Sequence, residues 1–501
     1  MMKLEKPHRS ALFLLIVIAF VWRLRSLDYQ SLWRDEIDAI YFSIQPLDGL
    51  LQMLLSPGHN GPFYYFLLRP WLNAVGVSDF SARYLSVLVG TISVALLWQV
   101  TKAILFRLER QLVNQTAVLA ALLLAFNPYQ LWYSQEAKMY AIVVALTLSS
   151  TWCFLLAMKH GKRRYFALYV LMTSLCIYFH VLAALIIPLH FIWFLLLWSQ
   201  YKQRWRAYGL SLLCLTVPYL PLIGWQWDTL TSPDYTAGYP FTTLPEMSSQ
   251  LLALHSRGVL SLGNPLWLIP VYLLWLGGLT VGKFTWRSRW LLISWLVCPI
   301  FFLYLISLVV PLYVDRYLIW LAPAYMITIS LGVIGLPSLI NVQAKKLVFL
   351  LLVPLLTLWL YAGWLQTTVP IKADLRQAVA YTLAQRDPAD LLILQIPHMH
   401  YSYRYYSAGE SNEPFLDSAR RLAPWMPGLY TNDYPSEAVA WDEVKREMEA
   451  TTIGYEGAWA IFSETELWDD RRLLNRWLDE NGSLEQQADF RIAEVRYYRF
   501  R

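Results

Sequence analysis

Residues 317–336 read YLIWLAPAYMITISLGVIGL, twenty positions without a charge, preceded directly by Asp315 and Arg316. A bilayer core about 30 Å thick is crossed by about 20 apolar residues in a helix, so this stretch reads as a membrane span with an acid and a cation at its mouth. Working outward, comparable runs lie near 10–26, 80–101, 115–131, 137–157, 165–179, 181–199, 207–224, 265–282, 290–312 and 347–366, about 11 transmembrane helices in all. Arg23 and Arg25 interrupt the first run, and a cleaved signal peptide is the competing reading there. No small-x-small cleavage site follows, so the run reads as an anchor.

The composition agrees. Of 501 residues, 57% are hydrophobic and 15% charged, with a mean hydropathy of +0.38. Ordinary soluble domains have roughly 45–50% and about 25%. A purely soluble or disordered chain is excluded. Tyrosine and tryptophan number 32 and 24 and collect near the ends of the runs, where amphipathic rings favour the membrane interface. Cys153, Cys176, Cys214 and Cys298 all lie inside apolar runs and read as small apolar filler, leaving no disulfide framework or cysteine metal motif.

Charge divides the chain. Residues 1–369 carry 26 Lys+Arg against 13 Asp+Glu, whereas residues 370–501 carry 15 against 22. Eighteen of the basic residues fall in alternate connections between the runs, which by the positive-inside rule predicts a cytoplasmic N-terminus. An odd number of spans then puts residues 370–501 outside, in a plasma (inner) membrane. That region reads as an α/β domain: helix over Ala373–Gln385, strand Leu391–Pro397, helix Ser436–Ala450, strand Trp459–Ser463, helix Arg471–Glu480 and strand Phe490–Phe500. The expected organisation is a membrane module over 1–369, with 27–79 as a first outer loop carrying interfacial helices, and an extracytoplasmic domain over 370–501. No glycine-rich phosphate cradle is present, and neither a soluble nucleotide-binding domain nor a nucleic-acid partner is indicated.

Four of the 13 carboxylates of the first 369 residues, Asp28, Asp35, Glu36 and Asp38, fall just after the first run. Acids next to a membrane are costly unless solvated or paired, so the cluster is a functional candidate, the plain alternative being a solvated loop with helix N-cap acids. On a helix Asp35 and Asp38 share a face while Glu36 points about 100° away. Further along, Pro57-Gly58-His59-Asn60-Gly61-Pro62-Phe63-Tyr64-Tyr65 forms a turn between two short amphipathic stretches and would hold His59 and Asn60 near membrane level. His59 reads either as a satisfied loop histidine or as a phosphate or metal contact. Outer polar groups recur at Glu136 and Lys138, at His180, and at Asp315 and Arg316. Acids and cations at one membrane face suit transfer from a lipid-linked phosphate, a carboxylate taking a proton from a hydroxyl while cations stabilise the departing phosphate. The same groups could line a transporter pathway, but the spans hold almost no mid-membrane acids.

At these residues the chain resembles the polytopic GT-C glycosyltransferases of the family 39 type, the group similar to protein O-mannosyltransferases and aminoarabinose transferases. The resemblance rests on Leu32-Trp33-Arg34-Asp35-Glu36, Gly61-Pro62-Phe63-Tyr64-Tyr65, Phe80-Ser81-Ala82-Arg83-Tyr84-Leu85-Ser86, Asn127-Pro128 with Tyr133-Ser134-Gln135-Glu136-Ala137-Lys138-Met139-Tyr140, Arg316-Tyr317 and Asp374-Leu375-Arg376-Gln377-Ala378. It implies a GT-C fold, a polyprenyl-phosphate sugar as donor, and inverting transfer to a cell-envelope glycan, lipid or protein on the outer side. It further implies Asp35 as general base, Glu36 positioning its loop or binding acceptor, and Lys138, Arg316 and His59 at the donor phosphate. Asp38, Asn60, Tyr64, Glu136 and His180 would position substrate. Lys138 stands where relatives often have Arg, a point charge in place of a bidentate fork. No obligatory metal is expected, although a divalent ion is compatible with the superfamily. The competing functions are a transporter or flippase of lipid-linked glycans and a noncatalytic anchor presenting a glycan-binding domain. Within His398–Tyr406 the aromatic residues could stack on sugars or serve an interface, and His398 with His400 on a strand would be two metal ligands, too few for a site.

Overall fold

The computed structural model describes residues 6–55, 61–217, 220, 239–260, 265–280, 285–335, 344–408 and 425–501. Two compact units emerge. The first comprises Met1–Arg25, Pro46–Leu67 and Arg83–Gln366, the second Ser26–Gln45, Leu68–Ala82 and Thr367–Arg501.

The first unit is helical. Among the described residues four helices are long and apolar enough to cross a membrane: Asp79–Ile104, Tyr140–His160, Trp286–Ser307 and Asp315–Gly335. Two bent pairs raise the count to six, Arg110–Phe126 with Pro128–Ser134 and Val181–Leu196 with Trp198–Thr216. Eleven full spans are not reproduced by helix length. The runs at 165–179 and 265–282 lie on helices of 17 and 12 residues, Arg163–Phe179 and Ile269–Thr280, and the run at 207–224 lies partly outside the described residues.

The 59° bend between Arg110–Phe126 and Pro128–Ser134 has a local cause. Asn127 precedes a proline, which disfavours helical backbone, and it adopts φ −60°, ψ 123°. Its side chain then caps the next helix by accepting from Gln130 N at 3.0 Å. Pro128 cannot donate to the Leu124 carbonyl. Arg23 does so instead: its guanidinium reaches Leu124 O at 3.1 Å and Ala125 O at 3.0 Å, and Ser134 Oγ at 3.2 Å. The arginine that interrupts the first run is thus buried and bonded to the kink. Helix Ile269–Thr280 meets Ala322–Gly335 through Gly278 and Gly332, where an added Cβ would come within 1.7 Å of Thr328 O and 1.9 Å of Leu274 O respectively. Small residues at a helix contact let backbones approach in an apolar medium.

The second unit contains a five-stranded sheet in the order β2-β1-β3-β5-β4, formed by β1 (Leu391–Leu394), β2 (Trp425–Pro427), β3 (Gly457–Ser463), β4 (Gly482–Phe490) and β5 (Ala493–Phe500). β1 pairs in parallel with β2 and β3, and β5 is antiparallel to β3 and β4. Alternate residues of β1 enter opposite cores. Leu392 and Leu394 pack with Leu375, Val379, Met399 and Tyr403, whereas Leu391 and Ile393 pack with Val444, Met448, Leu474 and Trp477. Both faces are covered by helices, Leu375–Gln385 and Met399–Ser407 on one side and Glu437–Thr452 and Leu473–Asn481 on the other, the layer arrangement expected when helices alternate with strands. Asp374 and Ser436 cap two of these helices, accepting from Gln377 N and Val439 N. The piece carrying His400 forms helix Met399–Ser407, not a strand, and Gly482–Phe490 is an additional strand.

Candidate functional site

Each unit gathers part of the polar set. In the second unit, helix Arg34–Ile44 begins at the acidic motif, with Asp35 and Glu36 in its first turn, where the helix dipole favours anions. The two carboxylates differ sharply in environment. Glu36 has a fully buried side chain paired with Lys372, Nζ to Oε2 2.7 Å, and the lysine side chain is itself only 7% exposed. The same Oε2 accepts from Trp33 N at 3.3 Å, closing a capping interaction at the helix start. Asp35 is 19% exposed and lies 3.7 Å from the Arg34 guanidinium. Asp38, one turn on, is half-buried.

The segment before this helix is bound along its length by the C-terminal part of the unit. Gln30 Oε1 accepts from Ile371 N and Lys372 N at 2.8 and 3.1 Å. Ser31 Oγ donates to Asp374 at 2.9 Å, and Leu32 N donates to the Tyr406 hydroxyl at 2.6 Å. Asp79 accepts from Arg376, from Tyr405 at 2.9 Å and from Tyr406 at 3.3 Å. Burial pulls the Arg376 guanidinium down, but Asp79 and the Tyr406 hydroxyl outweigh it and hold its pKa above the usual value. Arg34 Nη1 meets His398 Nε2 at 3.2 Å, and its guanidinium lies 5.1 Å from the Trp468 ring centre. Burial, with Arg34 next in weight, pushes the His398 imidazole down to about 3. Burial also lowers His400, whose Nδ1 bonds its own helix start at Pro397 O, 2.7 Å. Tyr401 packs on Tyr41 with ring centres 4.3 Å apart.

In the first unit, three motif segments converge. A Cβ at Gly61 would lie 2.4 Å from Phe179 O and 2.9 Å from Met139 Cε, and Gly61 has φ +73°, so only glycine suits this turn. Phe63 stacks on Tyr178 at 4.7 Å. The turn carrying Tyr64 is thereby seated against both the Glu136–Met139 segment and the segment that ends at His180. Tyr64, Glu136, Lys138 and His180 are all buried. The His180 ring lies 4.6 Å from that of Tyr317, and Arg316 Nε donates to the Tyr140 hydroxyl at 2.8 Å. Asp315 accepts from Tyr129 at 2.5 Å and Tyr133 at 3.5 Å. Glu136, Lys138 and His180 are thus buried polar groups on segments that meet where apolar helices end, with Arg316 bonded to Tyr140 on the helix Tyr140–His160.

His59 and Asn60 lie outside the described residues. Asp35, Glu36 and Asp38 share the second unit, whereas Tyr64, Glu136, Lys138, His180 and Arg316 share the first. Sequence reasoning missed Lys372 and Asp79 altogether, and it named His398 and Tyr140 without their partners Arg34 and Arg316. The signal for the first two was position: Asp79 opens a run and Lys372 lies at the start of the outer domain. Among the described residues no group of three or more His, Cys, Asp or Glu could hold a metal ion.

Residues 59–225 match the family described as dolichyl-phosphate-mannose-protein mannosyltransferase. A search of curated proteins found no match. Among solved structures, the apo form of ArnT from Cupriavidus metallidurans is similar with a TM-score of 0.60 at 12% identity, covering 97% of each chain. This chain has the GT-C fold. ArnT bound to undecaprenyl phosphate gives a TM-score of 0.55 at 13% identity, again over 97% of each chain. The Archaeoglobus fulgidus oligosaccharyltransferase AglB, in complex with an inhibitory peptide and a dolichol-phosphate, gives 0.53 at 11% identity over 96% of this GT-C chain and 73% of its own. The family match covers about a third of the chain, and the likeness to ArnT and AglB extends the GT-C fold over nearly all of it.

Proposed function

We propose that this protein transfers a sugar from a polyprenyl-phosphate donor to a hydroxyl of a cell-envelope glycan, lipid or protein on the outer side of the plasma membrane, with inversion at the anomeric carbon. The observation that carries the reading is the contrast between adjacent acids: Glu36 is buried in an ion pair with Lys372, while Asp35 is partly exposed on the same turn. One carboxylate is fully buried in the scaffold and its neighbour is partly open to solvent beside Arg34, a contrast that suits one acid to positioning and the other to proton transfer.

In this reading the Asp35 carboxylate takes the proton of the acceptor hydroxyl. The acceptor oxygen forms a bond to the anomeric carbon from the face opposite the phosphate, and the bond from that carbon to the phosphate oxygen breaks with its electron pair. Polyprenyl phosphate leaves with an added negative charge. Lys138 and Arg316, with His59, would stabilise that charge, and Asp38, Asn60, Tyr64, Glu136 and His180 would position substrate. Protein cations suffice for such a leaving group, so transfer is expected to proceed without an obligatory metal and to survive chelation by EDTA. The charge pattern of the connections supports a cytoplasmic N-terminus and an external C-terminal unit.

The test is release or transfer of radiolabelled sugar from a panel of undecaprenyl-phosphate sugars by purified protein in nanodiscs, wild type against Asp35→Asn. Turnover that vanishes in the variant supports the reading and names the donor. Equal turnover in both removes Asp35 as base, and movement of the lipid across vesicles without sugar transfer would establish a carrier instead.

A further inference from the structure

We propose that Lys372 and His398 are positioning residues for the Asp35 carboxylate, acting on the two residues that flank it, Glu36 and Arg34. This rests on the reading of Asp35 as the base. The flanking contacts come from segments more than 330 positions away in the chain, and both are specific. Lys372 Nζ lies 2.7 Å from Glu36 Oε2, while its backbone N–H is held by Gln30 Oε1 at 3.1 Å, so the segment that carries the acids and the segment that carries the lysine grip each other at two points. A guanidinium only donates, so His398 Nε2 must accept from Arg34 at 3.2 Å. The ring proton then sits on Nδ1, 2.8 Å from the Tyr430 hydroxyl, to which it donates. Trp468 closes the other side of Arg34, its ring centre 5.1 Å from the guanidinium carbon.

The consequence follows from helix geometry. Successive side chains on the first turn of Arg34–Ile44 are about 100° apart, so fixing the residues before and after Asp35 fixes the backbone turn and the direction in which its side chain leaves it. A buried ion pair gives little net stability against an apolar pair of the same size, because desolvation offsets most of its attraction. Its benefit here is one orientation of the turn. A base displaced by an ångström loses much of its effect, so the positioning acts on the chemical step rather than on donor binding.

The experiment uses the full chain in nanodiscs, the undecaprenyl-phosphate sugar that the wild type turns over, and undecaprenyl phosphate as the binding probe. Lys372→Met and His398→Leu are expected to lower kcat at least tenfold while leaving the Kd for undecaprenyl phosphate within twofold, and to raise hydrogen exchange in peptides spanning 31–40. His398→Gln, which can accept from Arg34 and donate to Tyr430, should retain most of the rate. The double variant Lys372→Met/Glu36→Gln should recover the thermal midpoint, since no charge is orphaned, yet keep the low kcat. Wild-type kcat in Lys372→Met, unchanged exchange at 31–40, or recovery of kcat together with the midpoint in the double variant would each overturn the proposal. Asp35→Asn in the same assay separates the two ideas: full turnover there removes the base reading itself, whereas loss there with full turnover in Lys372→Met removes only the positioning.

Discussion

The two units hold their charged residues by different means. In the second, the acidic segment is secured by ion pairs and by bonds from distant residues, Lys372 to Glu36, Arg376 to Asp79 and His398 to Arg34. In the first, tyrosine hydroxyls and stacked rings surround the charges: Tyr140 accepts from Arg316, Tyr129 and Tyr133 donate to Asp315, and Tyr317 packs on His180. A buried ion pair is close to all-or-none, because removing one partner strands the other in low dielectric. A hydroxyl can be removed at the cost of one hydrogen bond. The second unit should therefore respond steeply to single substitutions, and the first gradually.

Asp35→Asn should have the largest effect, a loss of about 10²–10⁴-fold in kcat with the fold intact, the range for removing a general base. It is read by sugar transfer beside a thermal melt. Glu36→Ala removes the carboxylate against which Lys372 is buried and should cost about 3–5 kcal/mol in stability, measured as a fall in the thermal midpoint. A fall no larger than that of Tyr140→Phe would erase the distinction between the units. Arg316→Ala should weaken undecaprenyl phosphate binding by about 1.5–3 kcal/mol, the value of a hydrogen bond to a charged group, with little change in melting. Tyr140→Phe removes one hydrogen bond to the Arg316 guanidinium and should cost about 1.5–3 kcal/mol in stability, below the Glu36→Ala loss. The smallest effect concerns pH. Folded His398 is held near 3 by burial, below the ordinary value of about 6.5 in the unfolded chain. Between these values the unfolded state binds the extra proton, so its contribution is complete above about pH 6.5 and declines as the pH falls toward 3. His398→Gln should flatten the stability profile over that window.

Much of the second unit was readable from residues because its signals are local. Short apolar runs marked β1 and β3, which are buried along their whole length, and the helical patterns of 373–385 and 436–450 placed two of the covering helices. β4 escaped notice because Leu484–Asp489 is polar and faces outward on an edge strand. The His398–Tyr406 piece was misread because aromatic residues favour strands, while here one apolar stripe, Met399, Ser402 and Tyr403, packs as a helix face. In the first unit apolarity marked the spans but not the breaks. Asn127-Pro128 was legible as a motif, whereas the guanidinium that bonds the carbonyls at its 59° bend comes from Arg23, more than a hundred residues away. The acids were found by their rarity. Their partners were not, because no pattern in sequence pairs position 36 with 372.

The Arg23 contact also bears on how the bend is held. An arginine in the first apolar run is costly to place in lipid alone, and so is the Leu124 carbonyl that Pro128 leaves without its helical donor. Each becomes inexpensive only when the other is present. The first helix and the kinked segment therefore depend on each other energetically, each satisfying polar groups that the other would strand in an apolar medium. Arg23 is in this sense a brace supplied from outside the kinked segment: replacing it with leucine would remove three hydrogen bonds at the bend, to Leu124 O, Ala125 O and Ser134 Oγ, and leave the kink without its stay.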